Sequence, residues 1–176
     1  MNRLQNSDFE KLAMPLVDPL YNFARWLSGD ADEARDLVQE TFVKALKGFG
    51  SFQEGTNFRA WMFRILRNTF LTSRTGLERR STQQEDEAGF EETVVSQETP
   101  ETALMRRADV DLVRKAIAQL TPAFQEVLLL TDVEEMKYQE VADTLSIPIG
   151  TVMSRLARAR KQVREYILQT SQIRTP

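Results

Sequence analysis

Between Ile147 and Glu165 the apolar positions fall on one side of a helix, with the stripe running on to Ile167. Val152, Leu156, Ala159, Val163 and Ile167 recur at steps of four and three, so wound at about 100° per residue they make one stripe facing a core. The opposite face carries Thr151, Ser154, Arg158 and Lys161, flanked by Arg155 and Arg164, and no acid stands before Glu165. Upstream, Val141, Ala142 and Leu145 give Tyr138 to Leu145 an apolar side of its own, and Ala142 is small enough for two helices to meet closely there. Between the two segments lie Ser146, Ile147 and Pro148. Ser146 is expected to cap the second helix and Pro148 to sit in its first turn.

The same helical spacing runs through the rest of the chain. Phe9, Leu12, Leu16, Leu20, Phe23, Ala24 and Leu27 pace out residues 8 to 28, with Pro15 and Pro19 shaping or breaking the early turns and Gly29 stopping the run. Asp30 or Asp32 can cap a helix from Glu33 to Lys47 whose inward stripe reads Ala34, Val38, Phe42, Ala45 and Leu46. That leaves Asp36, Gln39, Glu40, Val43 and Lys47 on or near the outside. After the glycine-punctuated loop GFGSFQEGTN, Thr56 or Asn57 caps a helix from Phe58 to about Ser73. Its expected inward stripe is Phe58, Trp61, Met62, Ile65 and Thr69, with Phe63 and Phe70 at the margins and Arg64 and Arg67 pointing away. From Pro100 the pattern resumes with Leu104, Ala108, Leu112, Ala116 and Leu120, then Thr121-Pro122 as a cap and first turn, then Ala123 to Thr131 burying Phe124, Val127, Leu128 and Leu130. No strand-like alternation is long enough to count, so the fold class expected is all-α.

Charge divides this pattern in two. The chain of 176 residues carries a net charge of −3, which by itself argues against a nucleic-acid partner. Residues 81 to 103 hold seven acids and no Lys or Arg; removing that −7 leaves +4 on the flanking parts. The acidic stretch has few large apolar residues and reads as a flexible linker. Two small helical domains, 1–80 and 104–170, are expected on either side of it.

With 41% hydrophobic and 28% charged residues the composition is that of a soluble globular protein. There is no cysteine and no histidine, which removes disulfides, thiolate and imidazole metal ligands, and Cys–His or Ser–His catalysis. No catalytic residue, metal or cofactor is expected, and Asp132, Glu134 and Glu135 read as an exposed turn. The amino-terminal residues lack the apolar run of a signal peptide and no segment is long enough to span a bilayer, so a cytoplasmic protein without direct membrane insertion is expected.

A short helix, a tight turn and a longer basic helix form a helix-turn-helix pattern, whose second helix enters the DNA major groove. A basic amphipathic helix alone is usually only a solvated surface helix; here pattern, turn and charge agree on DNA. In the first half, aromatics beside outward arginines and a glycine-rich loop suit a surface that stacks unpaired bases. Arg74, Arg79 and Arg80 extend that positive strip.

Three stretches taken together, DEARDLVQETFVKAL (Asp32 to Leu46), FRAWMFRILRNTFLTSRT (Phe58 to Thr75) and YQEVADTLSIPIGTVMSRLARARKQVR (Tyr138 to Arg164), resemble the extracytoplasmic function (ECF) group of the bacterial sigma-70 family. LTPAFQEVLLLTDVEEM (Leu120 to Met136) is similar to the family's approach to its second DNA-binding domain. The resemblance implies a sigma region 2-like domain binding the β′ coiled coil of core RNA polymerase and the −10 promoter element, and a region 4-like domain binding the −35 element and the β flap. It implies core polymerase contacts at Asp36, Gln39 and Glu40. It implies a flipped-base pocket and basic strip from Phe52, Gln53, Arg64, Arg67, Asn68 and Arg74, and −35 contacts from Thr151, Met153, Ser154, Arg155, Arg158, Lys161 and Arg164. An anti-sigma factor is the further partner implied.

Three departures from the family pattern stand out. Met153 occupies a position where many members carry Lys or Arg, Lys137 one that is commonly Ser or Thr and so weakens the first cap, and the short linker lacks the larger intermediate domain, as in the ECF group. The alternative from another class is a sigma-like decoy that binds an anti-sigma factor without directing transcription. A conventional helix-turn-helix repressor or activator would leave Asp32 to Leu46 without a role.

Overall fold

The computed structural model describes residues 3–53, 55–77 and 100–173, with side chains described over 8–53, 55–75 and 109–171. Among the described residues every regular element is helical, and the helices fall into two compact units. Most of the expected linker, with Arg79 and Arg80, lies outside the described residues, as do the side chains of Leu104 and Ala108. The last four linker positions, 100–103, are already the first turn of a helix. No described helix is long and apolar enough to cross a membrane.

The first unit contains α1 (Arg3–Ala13), α2 (Val17–Ser28), α3 (Ala31–Gly48) and α4 (Phe58–Leu77). The single helix expected over residues 8 to 28 is two, separated by a 3-10 turn at Met14–Leu16 that begins next to Pro15. Proline lacks the N–H that a continuous helix needs there. The interruption turns Leu12 outward, where it is 46% exposed.

Gly29 ends α2 at φ 74°, a left-handed conformation open to glycine at little steric cost. Asp30 then caps α3, its Oδ1 accepting from the backbone N–H groups of Asp32 and Glu33 at 2.8 Å. The Glu33 N–H is the main cause holding this carboxyl below its ordinary pKa. Helix α3 buries Ala34, Leu37, Val38, Thr41 and Ala45, while Phe42 and Leu46 are half-buried.

Helix α4 sits in a different rotation from the one expected. Its buried side is Phe58, Met62, Phe63, Leu66 and Thr69, whereas Trp61 and Ile65 are only half-buried. Phe63 packs on Phe23 of α2 with ring centroids 5.4 Å apart. Asn57 supplies the cap, its Oδ1 accepting from the Ala60 N–H at 3.0 Å.

The second unit contains α5 (Pro100–Ala118), α6 (Pro122–Leu128), α7 (Tyr138–Leu145) and α8 (Ile149–Ile173). Helices α5, α6 and α7 all pack on α8, the arrangement expected of four helices around one core. Ala116, Ile117, Leu120, Val127, Leu130, Val141, Leu145, Val152 and Leu156 fill it. Each large side chain so buried contributes about 1.5–3 kcal/mol. Between α6 and α7 the chain continues through a π-helical turn at Leu129–Val133, closed by Glu134 N–H to Leu129 C=O at 2.9 Å.

Candidate nucleic-acid interface

Two expectations about the helix-turn-helix ends are corrected. Ser146 does not cap the second helix: it ends α7 in the left-handed conformation at φ 55°, its N–H bonding to Ala142 C=O. The first carbonyl of α8 to be used is that of Pro148, which accepts from Thr151 and Val152, so the proline stands at the cap and not inside the first turn. The start of α7 is firmer than a Lys at position 137 suggested. Glu140 reaches back and accepts the Lys137 backbone N–H at 2.8 Å, the carboxylate half of a capping box, which needs no side-chain acceptor on residue 137.

The stripe of α8 lies as expected, with Val152, Leu156 and Ala159 buried and Val163 and Ile167 half-buried. On the opposite side Met153, Ser154, Arg158, Lys161 and Arg164 are exposed, while Thr151 and Arg155 are half-buried. The cations are not equivalent. Arg160 forms a two-pronged pair with Asp132, Nε to Oδ2 at 2.9 Å and an Nη to Oδ1 at 2.7 Å, and these bonds raise its pKa further above the usual arginine value. Lys161 lies 3.8 Å from Glu165 on its own helix. Among the described residues Arg155, Arg158 and Arg164 have no acidic partner, so their charge is open to an outside anion.

Asp132 and Glu134 are therefore more than an exposed turn. Asp132 ties the π-helical turn to α8, and Glu134 is buried at 6% exposure. Nothing in the local sequence marks Asp132 for this, because its partner lies twenty-eight residues away.

In the first unit the loop before α4 folds its aromatics inward. Phe52 stacks on Phe49 at 6.2 Å with planes 6° apart, meets Phe58 edge-on at 5.3 Å and tilts against Trp61 at 5.1 Å. Phe52 is thus part of an aromatic cluster and half-buried, while Gln53 beside it is exposed. The rotation of α4 puts Trp61, Arg64, Ile65 and Asn68 on one side of the helix, Arg64 and Asn68 exposed and the other two half-exposed. Asn68 stands two turns beyond Trp61, about 10 Å along the axis. Arg64 has no acidic partner among the described residues.

Arg67 is half-buried and already has a partner. Arg74 is drawn back against the first unit, 3.5 Å from Glu33, 3.4 Å from the Ser28 carbonyl and 5.2 Å over the Phe70 ring. Sequence reasoning assigned Trp61 and Ile65 to the core and so missed the apolar part of this surface.

On α3, Asp36, Gln39 and Glu40 are exposed together, and Val43, 50% exposed, continues the same face toward the carboxyl end of the helix. Glu40 pairs with Lys44 at 2.7 Å, and Lys44 also donates to Thr69 Oγ1 of α4 at 3.2 Å.

Comparison with known proteins adds three kinds of likeness. The model of Sigma-70 region 2 matches residues 12–80, and that of Sigma-70, region 4 matches residues 111–163. The chain is 34% identical to the ECF RNA polymerase sigma factor SigE of Mycolicibacterium smegmatis over 166 residues, 93% of this chain, but spans only 63% of that relative's length. It is 35% identical to the ECF RNA polymerase sigma factor EcfG of Rhodopseudomonas palustris, with 85% of this chain and 86% of the relative covered. Among solved structures, the sigma factor RpoE of Bartonella quintana, crystallised with the anti-sigma factor NepR, matches with a TM-score of 0.72 and 32% identity over 91% of this chain and 96% of that one.

Proposed function

Because this chain belongs to the sigma-70 family, in its extracytoplasmic function group, we propose that it is an alternative sigma factor: it binds core RNA polymerase, recognises −35 and −10 promoter elements, and promotes opening of the DNA. The observation that carries this is the division of the arginines. Arg160 and Arg74 are held by acids of their own units, whereas Arg155, Arg158 and Arg164 on α8 and Arg64 on α4 are left for an outside anion.

In this reading α8 enters the major groove at −35. Ser154 and Arg158 read base edges, Thr151 and Arg155 support them, and Lys161 and Arg164 hold phosphates. A base flipped from the −10 element stacks on the half-exposed side of α4 near Trp61 and Phe52, and Gln53 and Asn68 offer both hydrogen-bond functions to its edge. Arg64 supplies the uncommitted positive charge beside it, and Arg67 and Arg74 flank it from positions already engaged. Asp36, Gln39 and Glu40, with Val43 at the end of the same face, form a mixed polar and apolar surface suited to the polymerase coiled coil. Melting then follows from preferential binding of the opened strand and needs no bond chemistry. The site of action is the cytoplasm, and an anti-sigma factor covering these faces is the partner that would restrain them.

Run-off transcription with core polymerase on DNA selected by the holoenzyme tests this. A discrete product from a selected promoter is expected, and Asn68→Ala should reduce it on duplex DNA while a template already opened at −10 restores it. Absence of any promoter-specific product from the unaltered chain would leave the decoy reading in its place.

A further inference from the structure

The first two turns of α8 are chemically unlike the rest of it. Ile149 is 43% exposed, Met153 is 53% exposed and Ala157 is exposed, and at spacings of four they form one apolar edge along the outward side of the helix. Beside them stand Gly150 and Ser154, both small, and a Cβ added at Gly150 would meet nothing within 4 Å. No charged residue precedes Arg155 in this helix. The amino-terminal end of a recognition helix is the part that touches base edges, and here it is small, uncharged and apolar, with one long flexible side chain projecting from it. The cations follow it, Arg155 and Arg158 beside the base edges and Lys161 and Arg164 placed to fix the helix against the phosphates.

We propose that Met153, seated beside Ile149, is a specificity residue that contacts the C5-methyl group of a thymine in the −35 element. The thymine methyl is the one apolar feature displayed in the major groove, and an exposed thioether side chain flanked by an isoleucine fits it. This rests on the sigma-factor reading of α8 above.

The experiment is a methyl-deletion scan. Holoenzyme formed with the full chain is titrated against its selected promoter fragment, and each thymine of the −35 element on either strand is replaced in turn by deoxyuridine, which differs by that methyl alone. At one position the unaltered protein should bind deoxyuridine DNA about fourfold more weakly, the worth of one buried methyl group. Met153→Ala should bind both DNAs equally, and Met153→Leu should keep part of the discrimination. The proposal is overturned if −35 preference is intact but no position is methyl-sensitive, if Met153→Ala retains the sensitivity, or if the selected element contains no thymine on either strand. Loss of −35 preference by the unaltered holoenzyme would instead remove the parent reading together with this one.

Discussion

Helices α4 and α8 are assembled from similar parts yet present different surfaces. Each buries an apolar side, each holds one arginine back through an acid of its own unit, and each leaves another uncommitted. On α4 the apolar arc is wider than the core can cover, so Trp61 and Ile65 surface beside Arg64 and Asn68. On α8 the arc is narrow and the outward side carries no ring: Gly150, Ser154, Arg158 and Lys161 are exposed, with Ile149 and Met153 the apolar groups at its amino-terminal end. Planar and apolar groups in the open suit bases that have lost their stacking neighbours. Small residues followed by cations suit a duplex that stays paired and must come close.

The largest effect expected from breaking this contrast is on stability within α4 itself. Phe63→Ala removes a fully buried ring packed on Phe23 and should cost the first unit about 3–5 kcal/mol in a urea titration. Trp61→Ala, on the half-exposed side, should cost clearly less; equal losses would mean that the two sides of α4 do not differ as described. Next comes the arginine contrast on α8. Arg158→Ala should lower discrimination between matched and mismatched −35 DNA by about 1–3 kcal/mol with the melting temperature unchanged. A uniform loss of affinity across sequences would reassign Arg158 to the phosphates. Smallest is Asp132→Ala. The pair it breaks is partly exposed, so up to about 1 kcal/mol of stability in the second unit is expected, with base preference nearly retained. A change of preference as large as that from Arg158→Ala would show that Arg160 also reads DNA.

The sequence pattern identified nearly every helix, because apolar positions at steps of three and four leave little choice when no strand competes. It located the inward side of α8 because polar and apolar positions separate cleanly there. It could not do so for α4, where Phe58, Trp61, Met62, Phe63, Ile65 and Leu66 are apolar almost all round the helix; which of them are covered depends on Phe23 and its neighbours in α2. Helical spacing set Arg158 opposite the apolar stripe and Arg160 near its edge, but that Arg160 is held by Asp132 was visible only in the fold. The break at Met14–Leu16 was marked by Pro15, but the left-handed Ser146 was not, since a serine at that turn reads as a cap for the helix that follows.

The π-helical turn at Leu129–Val133 has a consequence for how the helix-turn-helix is aimed. A turn closed by a bond to the fifth residue holds one residue more than an α-turn, and that extra residue shifts the phase of all that follows by about a quarter of a revolution. Asp132 lies inside this turn and is brought level with Arg160 by it. The turn thus works as a spacer of one amino acid, and shortening the chain there by a single residue would rotate the whole reading head away from its anchor while leaving every residue of that head intact.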